Sequence, residues 1–139
     1  MTTEIILHHY DTSPFSEKVR LMLGVKDLAW RSVIQPVIMP KPDLIPLTGG
    51  YRRIPVMQQG ADVYCDTQAI LARLEAMAPE PQVVTGADWA VNLWADRLFF
   101  QATVAVVFGE IGERVPAAFV ADREKLSGRP LARLTRRQR

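Results

Sequence analysis

Ser13-Pro14-Phe15-Ser16-Glu17-Lys18-Val19-Arg20 is a helix start written in eight residues. Ser13 is a favoured N-cap, and Pro14 suits the first helical position, where its missing N–H costs no intrahelical bond. Phe15, Val19, Met22 and Leu23 then fall on one helical face, and Gly24 marks the expected end. Just upstream, Ile5-Ile6-Leu7 is a short apolar run that reads as a buried strand ending around His9 and Tyr10. Downstream, Trp30 to Val33 has alternating and β-branched character, so it reads as a second strand. With the helix as crossover, the two strands run parallel, and the start of the chain is a βαβ unit.

Residues 35 to 53 hold Pro36, Pro40, Pro42, Pro46 and Gly49-Gly50, so a long loop or a short helix is expected there. Ile54-Pro55-Val56-Met57-Gln58 and Val63-Tyr64-Cys65 flank Gln59-Gly60-Ala61-Asp62, the pattern of a β-hairpin. Asp66 or Thr67 can cap the next helix, whose stripe is Ile70, Leu71, Leu74 and Met77, and Pro79 and Pro81 stop it. The chain then reads as one domain over 1–78, a linker over 79–87 and a helical region over 88–139. In that last region Trp89, Leu93, Trp94, Phe100 and Val104 to Phe108 are apolar nearly all round, which predicts a helix buried on several sides, with Trp89 and Trp94 in a core. A second helical segment is expected from Pro116 to about Leu126.

At 139 residues the chain is too short for two complete domains, and 48% hydrophobic with 23% charged residues is a globular composition. The single cysteine, Cys65, excludes an internal disulfide and a Cys-based metal site within one chain, and it reads as a small buried hydrophobe. The opening Met1-Thr2-Thr3-Glu4 lacks a basic n-region, so no secretory signal is expected and the cytoplasm is the default location. Leu98 to Phe108 is shorter than the roughly 20 residues a membrane helix needs, so no membrane partner is expected. Net charge is +2, but 122–139 carries seven basic and two acidic residues, leaving about −3 on the first 121. Arg129, Arg133, Arg136, Arg137 and Arg139 thus read as a solvated tail, and no nucleic-acid partner is expected. His8 and His9 have no carboxylate placed by spacing and read as structural.

Three motifs agree in order and spacing: the helix start from Ser13 to Arg20, Arg53-Ile54-Pro55-Val56 at the third strand, and Asp66-Thr67-Gln68-Ala69-Ile70 at the last helix. Together they resemble the N-terminal domain of the cytosolic glutathione transferase family. The resemblance covers residues 4 to about 78, and 88 to about 127 is similar to the beginning of the family's helical second domain. The implied fold class is an α/β thioredoxin-like (βαβ-ββα) domain followed by a partial all-α domain.

The resemblance implies glutathione as co-substrate, no metal, a small electrophile as second substrate and a homodimer. A free thiol titrates at about 8.5, so a thiolate at neutral pH needs a donor and positive potential beside it. The amino end of the first helix supplies the potential, and Ser13 is the catalytic candidate that would donate its hydroxyl proton to the sulfur. In serine- and cysteine-type relatives this position contacts the sulfur; serine here excludes a mixed disulfide at position 13 and favours transfer, isomerisation or peroxide reduction over thiol exchange. Tyr10 is the alternative catalytic candidate, because tyrosine-type relatives place their hydroxyl near the end of the first strand.

For binding, the resemblance implies a cis bond between Ile54 and Pro55, leaving the Ile54 backbone to pair with the cysteinyl backbone of glutathione. Asp66 and Thr67 suit the γ-glutamyl ammonium and carboxylate. The family more often has Glu-Ser at these two positions. Lys41, Arg52 and Arg53 are candidate cations for the glycine carboxylate, and the sequence does not choose among them. Family members carry five or more helices in the second domain, whereas about two fit before Arg139, which reads as a truncated second domain. A non-catalytic glutathione-binding or protein-interaction module of the same fold is the alternative reading; exchange chemistry through Cys65 is a remote third.

Overall fold

A computed structural model describes residues 4–111 and 114–128 of the chain. The chain divides into two compact units between Thr85 and Gly86. The first unit runs β1 (Ile5–His9), α1 (Pro14–Val25), β2 (Trp30–Ile34), α2 (Leu44–Thr48), β3 (Val56–Gln59), β4 (Asp62–Cys65) and α3 (Thr67–Met77). Its four strands form one mixed sheet in the order β2-β1-β3-β4. β1 is parallel to β2, and β3 is antiparallel to both β1 and β4.

Local chemistry explains these boundaries. The Ser13 hydroxyl oxygen accepts from the Ser16 N–H at 3.1 Å, capping α1 as its residue type predicts. α1 passes through Gly24 to Val25, one residue beyond the expected stop, because Lys26 supplies the closing N–H to Met22 and Gly24 carbonyls. The proline-rich connection accommodates one short helix, α2, which includes Pro46 and ends on Gly49 at φ 63°, where a glycine meets no Cβ penalty. β3 begins at Val56 rather than Ile54, since Pro55 has no N–H to give a ladder.

The core lies between sheet and helices. Leu7, Val56 and Met57 from the sheet, Val19 and Leu23 from α1, and Ile70 and Leu74 from α3 are all fully buried. Each helical pair is spaced by four residues, so each helix offers one stripe to the sheet. Behind this core the Lys26 ammonium, with no side-chain exposure, donates to Glu75 Oε2 at 2.8 Å, the Ala78 carbonyl at 2.6 Å and the Pro81 carbonyl at 3.0 Å. Glu75 Oε1 accepts from the Val83 and Val84 N–H groups at 2.9 and 2.7 Å. One ion pair thereby ties α1, α3 and the segment after α3 together.

The second unit begins with α4 (Asp88–Trp94), continues without interruption through a π-helical turn (Ala95–Phe99) into α5 (Phe100–Ile111), and adds α6 (Ala117–Ser127). The Phe108 and Phe119 rings stack at 6.1 Å between centroids, and the Arg123 guanidinium lies 4.6 Å over Phe119. The expectation of a buried helix is corrected here. No residue of α4 or α5 is buried, Leu98 is 67% and Trp94 51% exposed, and Trp89 is half-buried rather than in a core. Among the described residues the unit offers α6 alone to a helix that is apolar on several sides. At 24 residues, Asp88–Ile111 is long and apolar enough to cross a bilayer by length and composition, a test that helices of globular domains also pass. The basic tail from Arg129 to Arg139 lies outside the described residues.

Candidate functional site

The strand register places the three motifs at one end of the sheet. Val33, His8, Val56 and Cys65 form a row across all four strands. The turn to Ser13 leaves β1 just past His8, Ile54-Pro55 enters β3 just before Val56, and Asp66-Thr67 follows Cys65 directly. β1 and β4 are both antiparallel to β3, so α1 and α3 start from the same sheet end and both aim amino-terminal N–H groups there.

Within the first turn, the Ser13 N–H donates to the Tyr10 carbonyl at 3.2 Å, closing Tyr10-Asp11-Thr12-Ser13 as a β-turn. Ser13 is 2% exposed, and its hydroxyl accepts the capping bond while retaining its own proton to donate. The Ser16 hydroxyl, one turn on, is fully buried with no protein hydrogen-bond partner. Tyr10 is half-buried, and the Lys41 ammonium sits 5.7 Å from its ring centroid. Lys41 is itself 2% exposed and donates to the Pro36 carbonyl. Of the three candidate cations, Lys41 is therefore drawn into the protein beside Tyr10, Arg52 is half-buried and Arg53 is exposed.

At β3 the Ile54–Pro55 peptide is cis, with Ile54 half-buried and Pro55 buried. At α3, Asp66 is the cap: its Oδ1 accepts from the Gln68 N–H at 2.9 Å, and Thr67 opens the helix, buried. Asp66 adopts φ 78°, ψ 136°, a region that costs a non-glycine residue on the order of 1–3 kcal/mol and that clusters at ligand clamps. The capping bond and the buried helix behind it hold this conformation.

His8 and His9 are both buried. Arg20 Nη1 donates to His9 Nδ1 at 3.0 Å, and because a guanidinium only donates, the ring proton sits on Nε2, which donates to Ser32 Oγ at 2.7 Å. Burial, then the Arg20 charge, holds the His9 imidazole below its ordinary value, with Asp11 opposing. Cys65 is half-buried rather than fully buried, and burial pushes its thiol up, away from a reactive thiolate. Among the described residues no three His, Cys, Asp or Glu side chains converge as a metal site.

Residues 7–82 match the family described as glutathione S-transferase, N-terminal domain. The chain belongs to the glutathione S-transferase family. A GST-like protein from Pseudomonas syringae is 54% identical over 76% of this chain and 40% of its own, with a TM-score of 0.69. A glutathione S-transferase from Rhodospirillum rubrum F11 (24% identical, 95% of this chain and 59% of its own, TM-score 0.66) shares the fold. So does a rice glutathione S-transferase solved with glutathione (22% identical, 99% and 59%, TM-score 0.55). The chain thus spans 40 to 59% of the length of these three transferase-family proteins. No curated protein matches the sequence significantly. The family's thioredoxin-like first domain is the first unit, and a helical region follows it.

The His9–Arg20–Asp11 contacts escaped the sequence reading. Only the Glu17–Arg20 spacing of three on one helix hinted that Arg20 was held, and nothing local pointed from α1 back to β1.

Proposed function

We propose that this chain binds glutathione at the sheet end where α1 and α3 begin and activates its thiol for attack on a small electrophile. The observation that carries the reading is the single row of strand positions from which Ser13, Pro55 and Asp66 all depart. In this reading Ser13 donates its hydroxyl proton to the sulfur, and the α1 amino end lowers the thiol's titration point. The Ile54 backbone pairs with the cysteinyl unit, while Thr67 and the α3 amino end receive the γ-glutamyl carboxylate and Asp66 its ammonium. Lys41 or Arg53 neutralises the glycine carboxylate, and Tyr10 is the alternative donor to sulfur. The glutathione in the rice relative supports the choice of ligand. The protein acts in the cytoplasm as a homodimer, 1–78 and 88–139 being its two domains and 79–87 their linker.

A second reading, a glutathione-binding or protein-interaction module without catalysis, is favoured by the exposed apolar side chains of α4 and α5. Isothermal titration of glutathione into the wild type and Ser13→Ala, with ultraviolet detection of bound thiolate, separates the two. Saturable binding with a thiolate band lost in the variant supports the transferase. Binding without a thiolate supports the module, and no binding by the folded protein overturns the glutathione reading altogether.

A further inference from the structure

The turn that carries Ser13 is tied down by a residue nearly two helical turns away. The Arg20 guanidinium reaches back along α1: Nη1 donates to His9 Nδ1 at 3.0 Å, Nη2 to the Asp11 carbonyl at 3.0 Å, and Nε to Glu17 Oε2 at 2.9 Å. His9, the last residue of β1 and 3% exposed, also bonds to Ser32 Oγ and meets the Trp30 ring in a T-shaped contact, 5.4 Å between centroids. Arg20 therefore bridges a fixed point of the sheet to the middle of the β-turn Tyr10-Asp11-Thr12-Ser13. Three acceptors in three directions need a planar fork with several N–H groups, which a lysine ammonium does not reproduce.

We propose that Arg20 and His9 are positioning residues of the site, clamping the Ser13 turn so that its hydroxyl and the α1 amino end keep one geometry toward the bound thiol. The chemical consequence rests on the glutathione reading; the clamp itself does not. The charged groups facing His9 are Arg20 from α1 and Asp11 from the turn, Glu17 acting through Arg20, while β2 presents the uncharged Ser32 and Trp30.

Arg20→Gln and His9→Leu remove the two halves of the clamp. His9→Asn keeps an acceptor, because its Oδ1 occupies the place of the imidazole Nδ1. Amide hydrogen exchange of the ligand-free proteins is the first readout. Exchange over residues 10–16 rises about tenfold in Arg20→Gln and His9→Leu, stays near wild type in His9→Asn, and is unchanged in α3 in all three. In the glutathione complex the thiol titration midpoint rises by about one pH unit in the first two variants and holds in the third. Should Arg20→Gln fail to fold, the two His9 variants carry the comparison. Wild-type exchange over 10–16 in His9→Leu, or equal loosening in His9→Asn, overturns the clamp. Loosened exchange in His9→Leu, with a wild type that binds no glutathione, leaves the clamp standing and overturns the glutathione reading instead.

Discussion

Replacing Ser13 removes a hydroxyl with two separable duties. As a cap it satisfies the Ser16 N–H, so Ser13→Ala costs about 1 kcal/mol in a urea melt, whereas Ser13→Gly costs only about a few tenths. As the proposed donor to sulfur it is lost equally in both, so the bound-thiolate absorbance falls in both variants while stability falls mainly in one. Asp66 separates in the same way. Asparagine tolerates positive φ and keeps the acceptor for the Gln68 N–H, so Asp66→Asn leaves the melting temperature nearly unchanged while weakening glutathione binding by calorimetry. His9 sets a pH dependence. Its folded-state value lies below the ordinary 6.5, so the unfolded chain takes up the proton first. Stability from this site is complete above about pH 6.5 and declines as pH falls below it, and melts across that range lose the feature in His9→Asn.

Between elements, the Lys26–Glu75 pair is the clearest energetic unit. Glu75→Ala leaves the buried ammonium with the Ala78 and Pro81 carbonyls alone, and removal of one member of such a pair costs about 3–5 kcal/mol. Lys26→Met combined with Glu75→Leu removes the stranded charge, so chemical denaturation of the double variant shows less loss than Glu75→Ala alone. Burial pushes the Glu75 carboxyl up, but the bonds from Lys26, Val84 and Val83 together outweigh it and hold it below its ordinary 4.5. The stability it contributes is therefore complete above that value and is lost as pH falls through the lowered one. Protease cleavage after α3 in Glu75→Ala, absent from the wild type, is the matching local readout.

For the whole molecule, the exposed apolar side chains of the continuous helix Asp88–Ile111 lead to a prediction about association. Leu98→Lys and Val106→Lys replace side chains 67% and 55% exposed, so each changes unfolding free energy by less than about 0.5 kcal/mol. If a second copy covers this face, both weaken self-association in sedimentation over a concentration series; unchanged association shows that no second copy covers it. The order βαβ-ββα, the cap at Ser13, a cap at Asp66 or Thr67 and the helical character after residue 88 were legible in the sequence. Capping, turn chemistry and apolar period are interactions among residues a few positions apart. Tertiary structure decided the rest. Lys26 meets Glu75 across 49 positions, and Arg20 turns back 11 positions to a histidine on another element. The exposure of α4 and α5 has the same cause: an apolar period says that a face seeks a partner, and only packing says whether one is there. Above all, strand register carried three motifs from residues 13, 55 and 66 to one end of one sheet. Register depends on pairing between distant strands, which the composition of each strand alone does not set.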